Sequence, residues 1–375
     1  MNISEIISAE YENTLGIIRD LCKIPAPSGL EDQRAKYCLD FFKKLGVGVS
    51  YIDESKNAIC VIGPENAETV LFSAHTDTVF PDTLPLAYSE DEKNIYCPGV
   101  GDDTSCLAVM MSCMKFLAKN REAFNRRIIF AANSCEEGLG NLKGMRQIFR
   151  DYPEIARMYT FDGMYDAVVS KSVGSHRYKL TVKTEGGHSF NHFGNRNAIA
   201  VLCDIIGKIY CIRVPKRDDS RTTYNVGTIE GGTSVNTIAQ EAWMLYEFRS
   251  DDYESLMNAK TFFEETVENF RKSGLDIETE LLGERPCGRK DNDDPRQSAL
   301  VERCAESIKK RAGFEPGFHA GSTDCNMPLS MGIPAVTVGL CTGAGAHTRE
   351  EWIETDSLKI GFGVAADLIS AHFMP

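Results

Sequence analysis

Apolar positions in the first third of the chain recur at helical spacing in several segments. Residues 4–23 show this spacing and are followed by two prolines, so a helix is expected to end there. The segment from Ser28 to Glu31 fits a capping box and predicts a second helix that continues to about Leu45. Helical spacing returns at 104–117, which predicts a third helix.

Short, continuously apolar runs lie between and beyond these helices. Such runs are typical of strands covered on both faces, and their alternation with helices predicts an α/β fold with a mostly parallel sheet flanked by helices. Later helices are expected at 297–312 and from Asp356 to about Ser370. The predicted strands are 58–62, 69–74, 128–132, 158–161 and 335–340.

The middle of the chain has a different order of elements. Between 176 and 281 the patterns predict strand, helix, strand, strand, helix and strand, which is the ferredoxin-like order. We therefore predict a discontinuous α/β domain, 1–174 and 287–375, with an inserted ferredoxin-like α+β domain at 175–286. A length of 375 residues agrees with two domains at about 150 residues each.

Composition narrows the class of protein. The formal net charge of −13 argues against general binding of nucleic acid or of an anionic membrane. No apolar run approaches the roughly 18 residues of a membrane span, and the start of the chain lacks signal-peptide features, so we expect a cytoplasmic protein. The 13 cysteines include no C-x-x-C pair, which excludes a zinc ribbon and predicts reduced, mostly buried thiols.

Side chains able to bind metal follow several of the predicted strands. Ligands of doubly wound sheets bind at the carboxyl ends of the strands, so these side chains are expected at one edge. Imidazole and carboxylate together suit Zn, Mn or Co better than Ca or Mg. Each of these residues alone is weak evidence for a metal site, since a histidine at a strand end or aspartates before a helix also have ordinary structural roles. The residues are His75, Asp77, Asp102, Asp103, Glu136, Glu137, Asp162 and His347.

The order of these residues resembles the dinuclear metallopeptidases of the peptidase M20 family, which includes tripeptide aminopeptidases, carboxypeptidase G and aminoacylases. The resemblance covers nearly the whole chain, including the inserted domain. That domain is a lid in relatives and often a dimerisation surface, which implies a homodimer formed through the lid. Further matching segments are Gly186–Ser189, Gly231–Ala239, Arg249 and Gly321–Asp324.

The resemblance implies two divalent metal ions, with zinc expected first and Mn or Co also compatible. By this resemblance Asp102 bridges the two ions. His75 and Asp162 complete one site, and Glu137 and His347 complete the other. A carboxylate is a ligand able to bridge two cations about 3.5–4 Å apart.

The same resemblance implies three catalytic roles. Glu136 is the general base, and Asp77 orients the imidazole of His75. His188, carried by the lid, is the candidate donor to the tetrahedral oxyanion. Its alternative is a surface histidine in a Gly-Gly turn.

Two residues of the inserted domain are expected to bind substrate. Arg249 and Asn236 would bind the terminal carboxylate and the backbone of a peptide, since arginine can bind a carboxylate through two hydrogen bonds. Arg249 could instead pair with Asp251 or Asp252 at a strand end.

The reaction implied by the resemblance is hydrolysis of an amide bond by a metal-bridged water that Glu136 activates. Aspartate at position 162 resembles the di- and tripeptidases of the family, whereas glutamate at this position is more typical of carboxypeptidases and deacylases. Thr104 is a departure, because peptidase T-like sequences often have lysine at that position. The leading hypothesis is an exopeptidase for short peptides, most like a tripeptidase. The alternatives are a deacylase that removes an N-acyl or carbamoyl group from amino acids, and a non-catalytic metal-binding homologue. Two further histidines, His176 and His372, are expected at the surface.

Overall fold

The computed structural model describes residues 3–118, 126–214, 220–288 and 294–372. The chain divides into two compact units, Met1–Ser172 with Asp291–Pro375, and Val173–Lys290. Within the described ranges, no helix is both long and apolar enough to cross a membrane.

The described residues form strands and helices in both units. The strands in chain order are β1 (Val49–Ile52), β2 (Ala58–Ile62), β3 (Thr69–His75), β4 (Ser89–Glu90), β5 (Asn94–Tyr96), β6 (Arg127–Asn133), β7 (Ile155–Phe161), β8 (Ala167–Ser172), β9 (Gly174–Lys183), β10 (Gly187–His188), β11 (Thr222–Gly231), β12 (Thr237–Ile238), β13 (Glu241–Ser250), β14 (Asp276–Arg285), β15 (Gly317–Gly321), β16 (Ala335–Val338), β17 (Gly343–Ala344) and β18 (Trp352–Glu354). The helices are α1 (Ile3–Cys22), α2 (Asp32–Leu45), α3 (Ser105–Ala118), α4 (Lys143–Asp151), α5 (Ala198–Ile209), α6 (Tyr253–Lys272), α7 (Pro295–Ala312), α8 (Asn326–Ser330) and α9 (Ser357–Ser370).

The eight strands of the large sheet follow the order β1-β2-β6-β3-β7-β16-β8-β15. Its centre is parallel, because β3 pairs in parallel with both β6 and β7, and β7 pairs in parallel with β16. All seven residues of β3 are buried. The prediction of a mostly parallel α/β sheet is therefore confirmed. The sequence patterns missed β1, β8 and β15 of this sheet, and also the small sheet β17-β18-β5-β4.

Helices cover both faces of the large sheet. Phe72 on β3 packs in a core with residues of α1, α2, α3, α7 and α9, whereas its neighbour Leu71 packs on the opposite face with residues of α4. Successive side chains of a strand point to opposite faces, so continuous apolar runs supply both cores. The ends of the strands are then left to carry polar side chains.

The second unit contains a four-stranded antiparallel sheet in the order β11-β13-β9-β14. Helices α5 and α6 supply apolar side chains to its core, among them Leu202 and Phe263. When the four strands of this sheet are numbered in chain order, their spatial order is 4-1-3-2, read from β14. This agrees with the predicted ferredoxin-like alternation.

Two expectations about histidines were wrong. His176 is buried on β9, where its ring stacks on Phe248 at 5.2 Å, and burial lowers its pKa. His372 is also buried, with its Nε2 atom 3.2 Å from the hydroxyl of Tyr159. Both residues lie where tertiary packing covers them, which a single polar letter in the sequence does not reveal. The cysteines are all free thiols, and only Cys203 and Cys211 among them are exposed, as expected.

Candidate metal centre

Neighbouring strands of the large sheet bring the candidate ligands to one edge. His75 is the last residue of β3, and Asp162 directly follows β7. Glu136 and Glu137 come shortly after β6, which lies on the other side of β3. Because these three strands are parallel, their carboxyl ends meet at the same edge of the sheet.

Four of the five predicted ligands contact one another. One carboxylate oxygen of Asp102 lies 2.9 Å from His75 Nε2, and its other oxygen lies 3.0 Å from His347 Nε2. His347 Nε2 is also 3.3 Å from Glu137 Oε1. One ligand atom from each of His75, Asp102 and Glu137 lies within 4.8 Å of the others, which makes them a group able to hold a metal ion.

The electrostatics of this cluster favour positive charge. Burial lowers the pKa of His75, but hydrogen bonds to Asp102 and Asp77 outweigh it, and the pKa lies well above the ordinary value. Hydrogen bonds to Asp102 and Glu137 raise the pKa of His347 to about 10. The imidazole and carboxylate donors therefore suit a divalent cation such as Zn, Mn or Co.

Asp162, the fifth predicted ligand, interacts electrostatically with the carboxylates of the cluster. Burial raises its pKa to about 7, and the negative charges of Asp102 and Glu137 add to the effect. Its backbone N–H donates to the carbonyl of Val338 on the adjacent strand, 3.1 Å away. A cation next to Asp162 would relieve the repulsion among these carboxylates.

Asp77 organises the loop that carries the two glutamates. Its carboxylate accepts hydrogen bonds from the backbone N–H groups of Glu136 at 3.0 Å and of Glu137 at 2.9 Å. The carboxylate is 3.6 Å from Nδ1 of His75, whereas the backbone carbonyl of Asp77 is 3.0 Å from the same atom. The main chain at Asp77 thus makes the shorter contact with the imidazole, and the side chain fixes the glutamates.

Ser28 and Glu31 do not form the predicted capping box. Helix α2 begins at Asp32 without a side-chain cap. The hydroxyl of Ser28 instead donates to Asp77 at 2.6 Å. Glu31, fully buried, accepts from the backbone N–H of Cys135 at 3.1 Å, and Cys135 has a positive φ of 59°. Both residues therefore support the glutamate loop, whereas the helix predicted to follow them and to end near Leu45 is confirmed.

Glu351 was missed by sequence reasoning and supports the turn that carries Asp102. The side chain of Glu351 is buried and accepts backbone hydrogen bonds from Gly99, from Gly101 at 2.8 Å and from Asp102 at 2.9 Å. Burial raises the pKa of Glu351 to about 7, although these hydrogen bonds oppose the rise. In the sequence, Glu351 belongs to a polar stretch typical of a solvated loop, so nothing local signals its role.

The turn itself depends on a glycine. Gly99 has a φ of 78°, and a Cβ atom at this position would lie 2.6 Å from Cγ2 of Thr78. The positive φ and the lack of space together favour glycine there.

The remaining candidates lie in the second unit. His188 on β10 pairs with Thr237 on β12, and the backbone N–H of Ser189 donates to the carbonyl of Asn236 at 3.0 Å, so His188 and Asn236 are close together. The His188 ring is exposed, and its Nδ1 accepts from the backbone N–H of Phe190 at 3.2 Å.

Arg249 makes a different ion pair from those considered in the sequence. Its guanidinium donates twice to the carboxylate of Glu247, at 3.1 and 3.0 Å. Glu247 is two residues away on the same strand, β13, so both side chains project from one face.

Comparison with known proteins agrees with this architecture. The model of the family described as Peptidase family M20/M25/M40 matches residues 71–371. The chain is 29% identical over 345 residues to a succinyl-diaminopimelate desuccinylase of Corynebacterium glutamicum, covering 88% of this chain and 89% of the relative.

Two solved structures share the fold. The aminopeptidase PepT of Bacillus cereus superposes with a TM-score of 0.75 at 23% identity, covering 96% of this chain and 98% of that one. A tripeptidase of Staphylococcus aureus superposes with a TM-score of 0.76 at 20% identity, with the same coverage of 96% and 98%.

Proposed function

Because the chain belongs to peptidase family M20/M25/M40 and is a metal-dependent hydrolase of that family, we propose that it is an exopeptidase for short peptides. It hydrolyses an amide bond next to a free α-amine, most like a tripeptidase or dipeptidase. The observation that carries this proposal is the fold that the chain shares, over 96% of its length, with an aminopeptidase PepT and with a tripeptidase.

Carboxylates dominate the charges at this edge of the sheet. The pKa of Asp162 is raised in part by negative charge from Asp102, Glu137 and Asp324. Two bound divalent cations would offset this negative charge, so it favours metal binding and does not by itself select between a substrate ammonium group and a substrate carboxylate.

Two arginines near the cluster are already engaged. Arg34 is buried and donates to the carbonyl of Thr76 at 3.0 Å and to the hydroxyl of Thr104 at 3.1 Å. Arg349 pairs with Asp82 at 2.6 Å and lies over the ring of Phe80. Neither guanidinium is therefore proposed as a contact to the substrate.

The contacts of Asp102 support two metal positions. Its two oxygens face two different imidazoles, so it suits a ligand shared between a site with His75 and Asp162 and a site with Glu137 and His347. When bound, divalent cations supply Lewis-acid chemistry that polarises a carbonyl and acidifies water. Zinc is the metal we propose first, with Mn or Co as alternatives.

Glu136 is proposed to act as the general base. It is buried, and Asp77 holds its backbone through a 3.0 Å hydrogen bond, so its position on the loop is defined. The carboxylate takes a proton from the attacking water and delivers it to the leaving amine.

His188 is proposed to donate to the developing oxyanion. Its Nδ1 accepts a backbone hydrogen bond from Phe190, so the neutral ring carries its proton on Nε2. An Nε2–H group is then available as a donor. Replacing His188 with Ala should lower kcat and leave the metal content unchanged. An unchanged kcat would remove His188 from the mechanism.

We also propose that the second unit is a lid and that two chains pair through it. Phe190, Phe193 and Val235, all large apolar residues close to His188 or Asn236 in sequence, are exposed. Apolar side chains gathered in this way are typical of a protein interface. Analytical ultracentrifugation of the protein and of a Phe193→Ser variant would test the pairing; a monomeric parent protein would refute it. Arg249 and Asn236 remain the proposed contacts to the peptide.

A deacylase is the second candidate. It is favoured by the 29% identity to a desuccinylase over most of both chains. Such an enzyme would use the same base and the same metal ligands, and would differ in the group bound next to the amide. The distinction therefore rests on substrate preference.

A paired hydrolysis assay distinguishes the two candidates. Metal-stripped protein would be resupplied with Zn, Mn or Co and mixed with free-amine di- and tripeptides, or with matching N-acetyl and N-succinyl amino acids. We expect metal-dependent cleavage of the free-amine peptides. Cleavage of only the acylated compounds would refute the peptidase proposal and support a deacylase. The Glu136→Gln variant measures background hydrolysis.

A further inference from the structure

A cavity lies in the first unit, between β7 and the start of α7, with a volume of ≈ 280 Å³. Its lining combines guanidinium groups with apolar surface. The residues that line it include Arg157, Arg296, Arg303, Tyr159, Pro295 and Leu300.

This cavity is at the opposite end of the sheet from the metal cluster. Arg157 is near the start of β7, whereas Asp162 follows its end, and five residues of strand span about 16 Å. Gln297 of α7 exchanges hydrogen bonds with Ala335, the first residue of the parallel strand β16, at 2.8 and 2.9 Å. The start of α7 is thereby attached to the amino end of the sheet. A molecule in this cavity would not occupy the metal centre.

Among the described residues, one arginine of the cavity has no acidic partner. Arg157 pairs with Glu68, and Arg296 pairs with Asp294. For Arg303, no carboxylate lies within 4.0 Å among the residues that the structure describes. Its Nη1 atom lies 3.4 Å from Nε2 of His372, and its guanidinium also hydrogen-bonds to the side chain of Tyr159.

His372 cannot satisfy the arginines around it. The ring contacts Arg126 through Nδ1 at 3.3 Å and Arg303 through Nε2 at 3.4 Å. Burial, together with the charges of Arg303, Arg157 and Arg126, lowers the pKa of His372 to about 3, so the ring is neutral. A neutral imidazole has one acceptor nitrogen and one N–H group. It can accept from only one of the two guanidinium groups, while each guanidinium carries five N–H donors. Arg126 also pairs with Glu68 at 3.2 Å, which leaves Arg303 as the arginine short of acceptors.

We propose that this cavity binds a small organic acid, with the carboxylate held by Arg303 and the apolar part against Pro295 and Leu300. The planar guanidinium matches a carboxylate with two parallel hydrogen bonds. The cavity holds about nine water-sized volumes of ~30 Å³, enough for a small aromatic or aliphatic acid. The apolar lining distinguishes this ligand from inorganic phosphate, which has no surface to bury there.

Calorimetric titration of the metal-loaded protein tests the proposal. The probes are 3-phenylpropionate, its neutral amide and inorganic phosphate. We expect 3-phenylpropionate to bind at least tenfold more tightly than either of the other two. Arg303→Gln should weaken its binding at least tenfold. Arg19→Gln, which removes an arginine elsewhere in the same unit, should leave binding unchanged.

A second variant tests whether a loss of binding in Arg303→Gln comes from the missing guanidinium or from a folding defect. Ala299 is exposed and lines the cavity, so Ala299→Tyr fills the space without removing a charge, and it should also abolish binding. Tighter binding of phosphate than of 3-phenylpropionate would overturn the choice of an organic acid. Binding that survives both variants but is lost in a His75→Ala protein would place the probe at the metal centre and overturn the proposal. Absence of binding by all three probes would also overturn it.

Discussion

Replacing Glu351 with Gln tests whether a residue that binds no metal sets the metal affinity. The Glu351 carboxylate accepts three backbone hydrogen bonds from the turn between Gly99 and Asp102 and is 1% exposed. Glutamine has the same shape but offers one acceptor oxygen and one NH2 group. That oxygen can still accept from Gly101 and Asp102, while the NH2 group faces the N–H of Gly99, donor against donor.

The magnitude follows from these contacts. A hydrogen bond to a charged group contributes about 1.5–3 kcal/mol, so losing one in a buried turn should destabilise the local structure by about that amount. Asp102 would then be held less rigidly between His75 and His347. Residues that orient metal ligands typically change affinity by about 10–100-fold, and we expect the Glu351→Gln variant to lose metal affinity within that range.

The assay is a metal titration of the stripped protein against a competing chelator, with kcat/KM measured at saturating metal. Urea unfolding of the same samples shows whether the variant is folded. Glu354→Gln is the matched control, because Glu354 lies three residues further along the same segment with an exposed side chain. If a folded Glu351→Gln protein bound metal within twofold of the parent, the argument that Glu351 positions Asp102 would be wrong.

Three other perturbations have defined outcomes. Asp102→Ala should lose both metal ions together, as elemental analysis would measure; one ion retained at full occupancy would contradict a bridging role. Glu136→Gln should keep its metal and lose about 10²–10⁴-fold in kcat, whereas unchanged hydrolysis would exclude it as the base. His372 has a folded pKa of about 3, below its unfolded value of about 6.5, so its contribution to stability is present above pH 6.5 and is lost as the pH falls towards 3. Between pH 7.5 and 5.5 the parent should lose about 1.4 kcal/mol more unfolding free energy than His372→Gln in urea titrations, and equal losses would contradict a buried neutral ring.

Local patterns in the sequence were sufficient to predict the two kinds of architecture. The continuous apolar runs predicted the central strands, and the alternation around 176–281 predicted the ferredoxin-like order, since hydrophobic period depends on which faces a segment buries. The strand ends also located His75 and Asp162, because parallel strands bring their carboxyl ends to one edge. The ligand candidates could therefore be named before the structure was known, although their roles rested on the family resemblance.

The residues that hold the metal-binding loops in place could not be predicted from local sequence patterns. Glu351 contacts Gly99 and Asp102 across about 250 residues of sequence, and Ser28 contacts Asp77 across a separation of 49 residues. A polar residue has the same identity in a solvated loop and in a buried network, so local sequence does not distinguish the two.

Burial of single histidines was likewise decided by tertiary structure. His176 and His372 appear in the sequence as isolated polar residues, yet Phe248 covers one and Tyr159 contacts the other. Their pKa values fall because neighbouring elements exclude water, and in His372 also because three arginines converge on it. The sequence by itself determined which segments form strands and helices and which ligand types follow them. Only the tertiary structure decided which polar groups lose their water, because desolvation depends on residues that are distant in the chain.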